Sequence, residues 1–378
     1  MKKTLILMAM LPFLAKAQPK PPKSLDLLIG TYTSGESKGI YVYRFYTESG
    51  RLAYLNEADG VDNPSYLCVS PDRKFVYSVN EASDERKGGA SAFSFEAKTG
   101  KLTFLNKQST GAAPCFISID KAQKNVFTAD YGGGSVSVFL LNADGSLKPA
   151  SQTLSDRNQP LGPNKERQEK PHVHMASLTP DEKFLLYTDL GTDKLNIQRY
   201  KASQTPVLTP ATPASVSVEG GDGPRHWDFS ADRKHLYLIT EMTGKIYAYH
   251  YNGGKPKPFQ SVSIVPDGYT GQTGAADLHV SPDGRFLYAT NRGDANEIVV
   301  FAIDQESGQL TLVERQSTLG STPRNFVIDP TGSYMLVANQ HGNSVIVFKV
   351  DKTTGKLKLT NNRITVDSPV CLKFTTID

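Results

Sequence analysis

The sequence predicts an all-β protein, a seven-bladed β-propeller of four-stranded antiparallel blades. Its ring is closed by a C-terminal strand that completes the N-terminal blade. Two features carry this reading. A unit of about 50 residues recurs along the chain, and the two chain ends each hold part of one further unit. The unit is plainest in 67–81 (LCVSPDRKFVYSVNE), 176–190 (ASLTPDEKFLLYTDL), 227–241 (WDFSADRKHLYLITE), 278–292 (LHVSPDGRFLYATNR) and 326–340 (FVIDPTGSYMLVANQ), with a degenerate copy at 117–131.

Each copy opens on an alternating strand. A tight turn at Pro-Asp-Gly or a variant follows, then a second strand rich in β-branched and aromatic residues. Third strands come next, such as 135–141 (SVSVFLL), 246–251 (IYAYHY), 298–304 (IVVFAID) and 344–350 (SVIVFKV). A Gly-containing turn and a fourth strand end the unit. The turn residues Pro71, Lys121, Pro180, Ala231, Pro282 and Pro330 are 50, 59, 51, 51 and 48 residues apart, which makes six copies. The seventh is split. Residues 369–376 (PVCLKFTT) match a first strand, and 25–35 (LDLLIGTYTSG) match a second strand followed by 39–45 (GIYVYRF). Joining them closes the ring and removes an exposed sheet edge.

The chain therefore divides into a signal peptide at 1–17, a leader at 18–24 and one propeller domain at 25–378. The signal reading rests on Lys2-Lys3, the apolar run Thr4 to Leu14 and the small-residue cleavage pattern Ala15-Lys16-Ala17. It predicts export, to the periplasm of a Gram-negative cell. The leader, with PKPPK at 19–23, reads as stiff and polyproline-like. Hydrophobic residues at 38% support a packed core. A net charge of +4 without a concentrated basic face argues against nucleic acid as a partner. No later segment is apolar enough to span a membrane. The three cysteines, Cys68, Cys115 and Cys371, are too few for a disulfide framework and read as small buried residues.

Inner strands of a propeller line its central channel, so two positions per blade meet at one channel mouth. The opening position of the first strand holds Ser65, Cys115, His174, Arg225, Ala276, Arg324 and Val370. The closing position after the second strand holds Glu81, Tyr131, Leu190, Glu241, Arg292 and Gln340. A structural repeat needs no charge at either place. Variation from blade to blade inside a repetitive frame is what an asymmetric ligand requires. Arginines suit a carboxylate or phosphate, which a guanidinium meets with two parallel hydrogen bonds. Glu241 and His174 suit proton transfer. A glutamate between arginines has its pKa drawn down, which favours a water-orienting base over a general acid.

The long connection 155–171 (SDRNQPLGPNKERQEKP) reads as a lid that brings Asn164, Arg167 and Gln168 to the same mouth. It runs into His172 and His174, whose spacing is one that metal sites use. His174, however, takes a position that its neighbouring blade fills with Arg225 and another blade with Arg324, and no cluster completes a ligand set. No metal and no cofactor is expected, and His172 reads as a loop residue near the ligand. His226 and His279 stand one place off the channel-facing parity and read as blade-packing residues. Gly132–Gly134 reads as a hairpin turn. No serine elbow or catalytic cysteine arrangement is present.

The segments GPNKERQEKPHVH, GDGPRHWDFSADRKHLYLITE, ADLHVSPDGRFLYATNRG and TPRNFVIDPTGSYMLVANQ resemble the seven-bladed propeller lactonases, a family that includes bacterial 6-phosphogluconolactonase and carboxy-muconate lactonizing enzyme. The resemblance covers nearly all of the chain after the leader. It implies a catalytic set at His174, Arg225, Glu241 and Arg292, and chemistry that needs no metal. His172, Arg324, Gln340, Glu81 and Arg167 are the expected substrate-binding residues. The expected activity is hydrolysis of a sugar lactone, a carboxylic ester hydrolase reaction on an anionic lactone or sugar acid. A lactonizing cyclase or isomerase is the alternative within the family, and a non-catalytic propeller that binds a sugar acid or a protein is the alternative outside it. An exported chain works away from cytosolic phosphorylated lactones, so a periplasmic sugar lactone fits equally.

Overall fold

The computed structural model describes residues 22–84 and 88–377. The expected signal peptide and most of the expected leader lie outside the described residues. Seven four-stranded antiparallel sheets follow one another around a ring. They are numbered here as blades 1 to 7 from the N-terminal strand. In blade 1 the C-terminal strand Pro369–Thr376 is innermost and pairs with Ser24–Thr31, then Gly39–Tyr46 and Arg51–Asp59. The seam runs in register from Leu25 opposite Thr376 to Ile29 opposite Leu372.

The recurring turn has a chemical reason. Ser70 Oγ donates to Asp72 (2.7 Å) and accepts the Phe75 N–H (2.9 Å). Ser230 and Ser281 do the same with Asp232 and His235, and with Asp283 and Phe286. The hydroxyl thus stands in for a missing backbone partner at the strand crossing. Adjacent blades are clamped by a second repeated device. The hydroxyls of Tyr77, Tyr237 and Tyr288 donate to the carbonyls of Gly145, Gly308 and Gly355 in the next blade, at 3.0, 2.8 and 2.9 Å. Those glycines have φ of 83°, 75° and 75°, and a Cβ there would strike Phe75, His235 and Phe286. Buried aromatics such as Phe127, Phe139, Phe301 and Phe348 fill the spaces between sheets. Each contributes roughly 1.5–3 kcal/mol of burial.

One irregularity of the inner strands decides the channel. Where six of the seven meet their second strands, the register slips near the opening position: at Cys115, His174, Arg225, Ala276–Asp277, Arg324 and Val370. A bulge breaks the strict alternation of faces. Two successive residues of one strand then reach the axis, as Arg225 with His226 and Arg324 with Asn325 both line one pocket. The parity reading of His226 as a blade-packing residue is corrected by this bulge. His279 packs on the Phe326 ring of blade 7, with centroids 4.9 Å apart, as a blade-packing residue does, and its Nε2 lies 3.1 Å from Asp277 Oδ2.

Across the seam, Asn325 Oδ1 of blade 7 accepts the Leu372 N–H at 2.7 Å, and the Leu67 N–H of blade 2 meets Cys371 Sγ at 3.3 Å. All three cysteines are unpaired. Cys115 and Cys371 are buried, whereas Cys68 is only half-buried.

The C-terminal strand is thus the innermost strand of blade 1 and touches both neighbouring blades. A chain ending at Ser368 is expected to lose the cooperative thermal unfolding of the full chain. Circular dichroism of the two proteins measures this, and equal melting temperatures would contradict the closure described.

Candidate active site at the channel mouth

Glu241 directly follows the second strand of blade 5, His235–Thr240, and four side chains from three blades and one loop converge on it. Arg225 Nε, from the inner strand of the same blade, donates to Oε2 at 2.9 Å. Arg292 Nη2, after the second strand of blade 6, lies 3.1 Å from the same oxygen. Arg167 Nη2 reaches Oε1 at 2.5 Å. His174 Nε2, from blade 4, stands 4.0 Å from Oε2. Arg225 is 2% exposed and Glu241 7%, so this carboxylate is buried among cations.

Burial pushes the Glu241 carboxyl up, but Arg292 and Arg225, with His174 and Arg167 behind them, hold it well below the usual carboxylate range. Burial draws Arg292 down to about 10 against the pull of Glu241, with Arg225 and Arg324 adding to the descent. It remains a cation at neutral pH. His174 is held well below the ordinary histidine value by burial and by Arg225 and His226. It is therefore a neutral imidazole at pH 7, and its Nδ1 has no hydrogen-bond partner among the described residues.

A second group stands on blades 1, 2 and 7. Glu81 accepts the Tyr32 hydroxyl at 3.0 Å and a short hydrogen bond from Ser65. Arg324 lies over the Tyr32 ring, 5.5 Å from its centroid, and forms no hydrogen bond among the described residues. Arg324, Ser65, Cys115, His174, Arg225 and His226 line one narrow pocket of about 10 Å³, room for about one water.

The 155–171 connection is fastened as well as long. Gln168 is buried, donating to the Leu190 carbonyl at 2.8 Å and accepting the Asn164 N–H at 3.0 Å. The Asn164 carboxamide accepts the Glu166 and Arg167 N–H groups at 3.1 and 3.2 Å. These two residues brace the loop, and Arg167 is the one that reaches Glu241. His172 is also a brace. Its Nδ1 lies 3.1 Å from the Tyr131 carbonyl, its Nε2 3.1 Å from Glu169, and its ring stacks on Tyr131 at 4.3 Å. Both ring nitrogens are thereby engaged, and the ring supports Tyr131. Gln340 turns to His341 on an exposed turn, 3.2 Å away, and makes no hydrogen bond to the Glu241 group.

Sequence reasoning brought together His174, Arg225, Glu241, Arg292 and Arg167. It missed Tyr32, Asp277 and Asn325, and placed Tyr131 at the mouth without a role. The available signal was the proline that opens most inner strands, Pro114, Pro224, Pro323 and Pro369, since proline at a strand start often accompanies a bulge.

Comparison with known proteins agrees with this architecture. The family described as "Lactonase, 7-bladed beta-propeller" matches residues 26–374. The 6-phosphogluconolactonase of Bacillus subtilis is 39% identical over 350 residues, covering 92% of this chain and 97% of that protein. A Bacteroides fragilis protein of solved structure superposes with a TM-score of 0.89 at 43% identity, covering 95% of this chain and all of that one (100%). The periplasmic gluconolactonase of Pseudomonas aeruginosa superposes with a TM-score of 0.88 at 38% identity, covering 94% and 100%.

Glu241→Gln removes the countercharge of three guanidiniums and is expected to destabilise the protein by about 3 kcal/mol at pH 7. The Glu241 carboxyl titrates at 4.5 when unconstrained and lower in the fold, so its stabilisation is complete above pH 4.5 and is lost as pH falls through the folded value. Urea unfolding across this range should show a steeper acid loss for the natural chain than for Glu241→Gln. Parallel curves would contradict the assignment.

Proposed function

This chain belongs to the seven-bladed β-propeller lactonase family, and from that premise we propose that it hydrolyses a sugar δ-lactone at the channel mouth around Glu241. The observation that carries the site is the buried Glu241 carboxylate held by Arg225 and Arg292, with a neutral His174 beside it. Arg225 Nη2 and Arg292 Nη1 make no hydrogen bond among the described residues, which leaves donors for a substrate oxygen.

In this reading the lactone carbonyl lies against those two arginines. His174 Nδ1 takes a proton from water as the water oxygen attacks the carbonyl carbon. Glu241, near Nε2 on the other side of the ring, favours the imidazolium that forms. The negative charge that develops on the carbonyl oxygen is met by Arg225 and Arg292. The bond from the carbonyl carbon to the ring oxygen then breaks. His174 returns its proton to the departing ring oxygen, which gives a hydroxy acid; its carboxyl then loses the remaining water proton to solvent and faces the arginines as a carboxylate. A low imidazolium pKa makes His174 a modest base and a willing acid, which suits the ring-opening step. Glu241 acts as a fixed charge and never as the acid. Arg167 and Arg324 are the groups for a further anionic substituent, and Glu81 for a hydroxyl.

The substrate class follows from relatives named 6-phosphogluconolactonase and periplasmic gluconolactonase. The signal pattern at 1–17 and the periplasmic neighbour support export, so gluconolactone without phosphate is the substrate to test first.

The mature chain is expected to accelerate δ-gluconolactone hydrolysis in a pH-stat assay, with Arg225→Ala and Glu241→Ala each lowering kcat/KM by about 100-fold or more. Unchanged turnover in both variants would remove the site. Because the folded His174 titrates well below 6.5, kcat/KM should stay level as pH is lowered through 6.5 and fall only further down. An inflection at the ordinary histidine value would exclude His174 as the base.

A further inference from the structure

Two of the most engaged side chains on the axis play no part in the chemistry above. His226 is 4% exposed and Asp277 1%. His226 Nδ1 lies 2.8 Å from Asp277 Oδ1, and His226 Nε2 lies 3.3 Å from Arg225 Nη1. A guanidinium only donates, so the Nε2 facing it must carry a lone pair. The imidazole proton is therefore on Nδ1, directed at Asp277. One hydrogen bond fixes the tautomer that the other requires.

We propose that His226, braced by Asp277, is a positioning residue for Arg225: it accepts an Nη1–H and so holds the guanidinium with its Nε edge on Glu241 and its Nη2 toward the substrate. The inference rests on the lactonase reading for its effect on rate, though not for its geometry.

The surroundings leave His226 little freedom. Asp277 Oδ1 also accepts the Leu278 N–H at 3.1 Å, while Oδ2 lies 3.1 Å from His279 Nε2 and takes a short hydrogen bond from Asn325. The imidazole packs edge-on against Phe116 and His174, with centroids 5.6 and 5.1 Å away. Arg225 Nη1 has a second acceptor in the Ala276 carbonyl. Both Nη1 hydrogens are thereby committed, Nε is committed to Glu241, and only Nη2 remains open. A guanidinium pinned on two edges presents the third in one orientation, as a charge-stabilising donor must. The sequence basis is the Pro224-Arg225-His226 bulge, which turns two neighbouring residues to the axis together.

The test separates positioning from packing. His226→Asn places an amide where Nδ1 stood, keeping the bond to Asp277 and leaving Arg225 without its acceptor. His226→Gln reaches the Nε2 place with its carbonyl oxygen, restoring that acceptor and giving up Asp277. Positioning predicts that His226→Asn lowers kcat on δ-gluconolactone about 10- to 100-fold with KM changed less than about 3-fold. It also predicts that His226→Gln is the more active variant even where its urea midpoint is the lower. If activity instead follows stability, with Asn the better on both, the proposal is overturned.

Should the unsubstituted chain hydrolyse no lactone, the reading of its function fails. The crystal structure of His226→Asn then decides the positioning role alone. Arg225 swung off Glu241 supports it, and Arg225 unmoved refutes it.

Discussion

Seven inner strands run together along one axis, and a bulge near the start of six of them turns paired residues into that narrow space. A side chain placed there meets residues of several blades at once, and draws its partners from other blades as well as from its own. This constraint explains why Glu241 of blade 5 is held by Arg225 of the same blade, Arg292 of blade 6 and Arg167 of a loop leading into blade 4. It also explains why Asp277 of blade 6 meets His226 of blade 5 and Asn325 of blade 7.

The charges at the mouth do not balance. Four arginines (167, 225, 292 and 324) face two carboxylates, Glu241 and Glu81. Buried cations without counterions cost stability, so an excess of this kind is not a folding device. Under the proposed function it is met when an anion arrives, whether as a substrate substituent, the transition-state oxygen or the product carboxylate. Arg324, resting on the Tyr32 ring, is the least committed of the four. Arg167, on the strapped 155–171 connection, is the most exposed, with a side chain 45% accessible. The deeper layer around Asp277 has the opposite character. Its acceptors and donors are matched across blades, and the seam is tied in through Asn325 and Leu372. One layer therefore stabilises the ring while the layer above it stays under-neutralised for a ligand.

Much of this was legible in the sequence. The repeat, the seven blades and the split first blade follow from turn residues and alternation, because these are local rules that every copy obeys. His174, Arg225, Glu241 and Arg292 were found because they are charged or ionisable where the repeat needs no charge. What escaped depended on non-local geometry. His226 was misplaced by strict period-two parity, which a bulge invalidates. Asp277 was passed over because it sits beside Ala276, the uncharged occupant of an opening position. The bracing of His172 escaped because its partners Tyr131 and Glu169 come together with it only once the loop folds back. Gln340 stands at a homologous closing position, and its carboxamide lies 3.2 Å from the exposed His341 beside it, a local contact that repeat alignment does not show.

The central claim is that the guanidinium edges left open around Glu241 form the anion-binding face of the site. The most direct measurement is a crystal structure of the mature protein with gluconate, the ring-opened acid. Its carboxylate is expected on Arg225 Nη2 and Arg292, with His174 Nδ1 facing the sugar. Gluconate bound instead in a cleft of the outer strands, such as the 380 Å³ pocket beside Phe93 and Phe104, with the Glu241 group untouched, would contradict it.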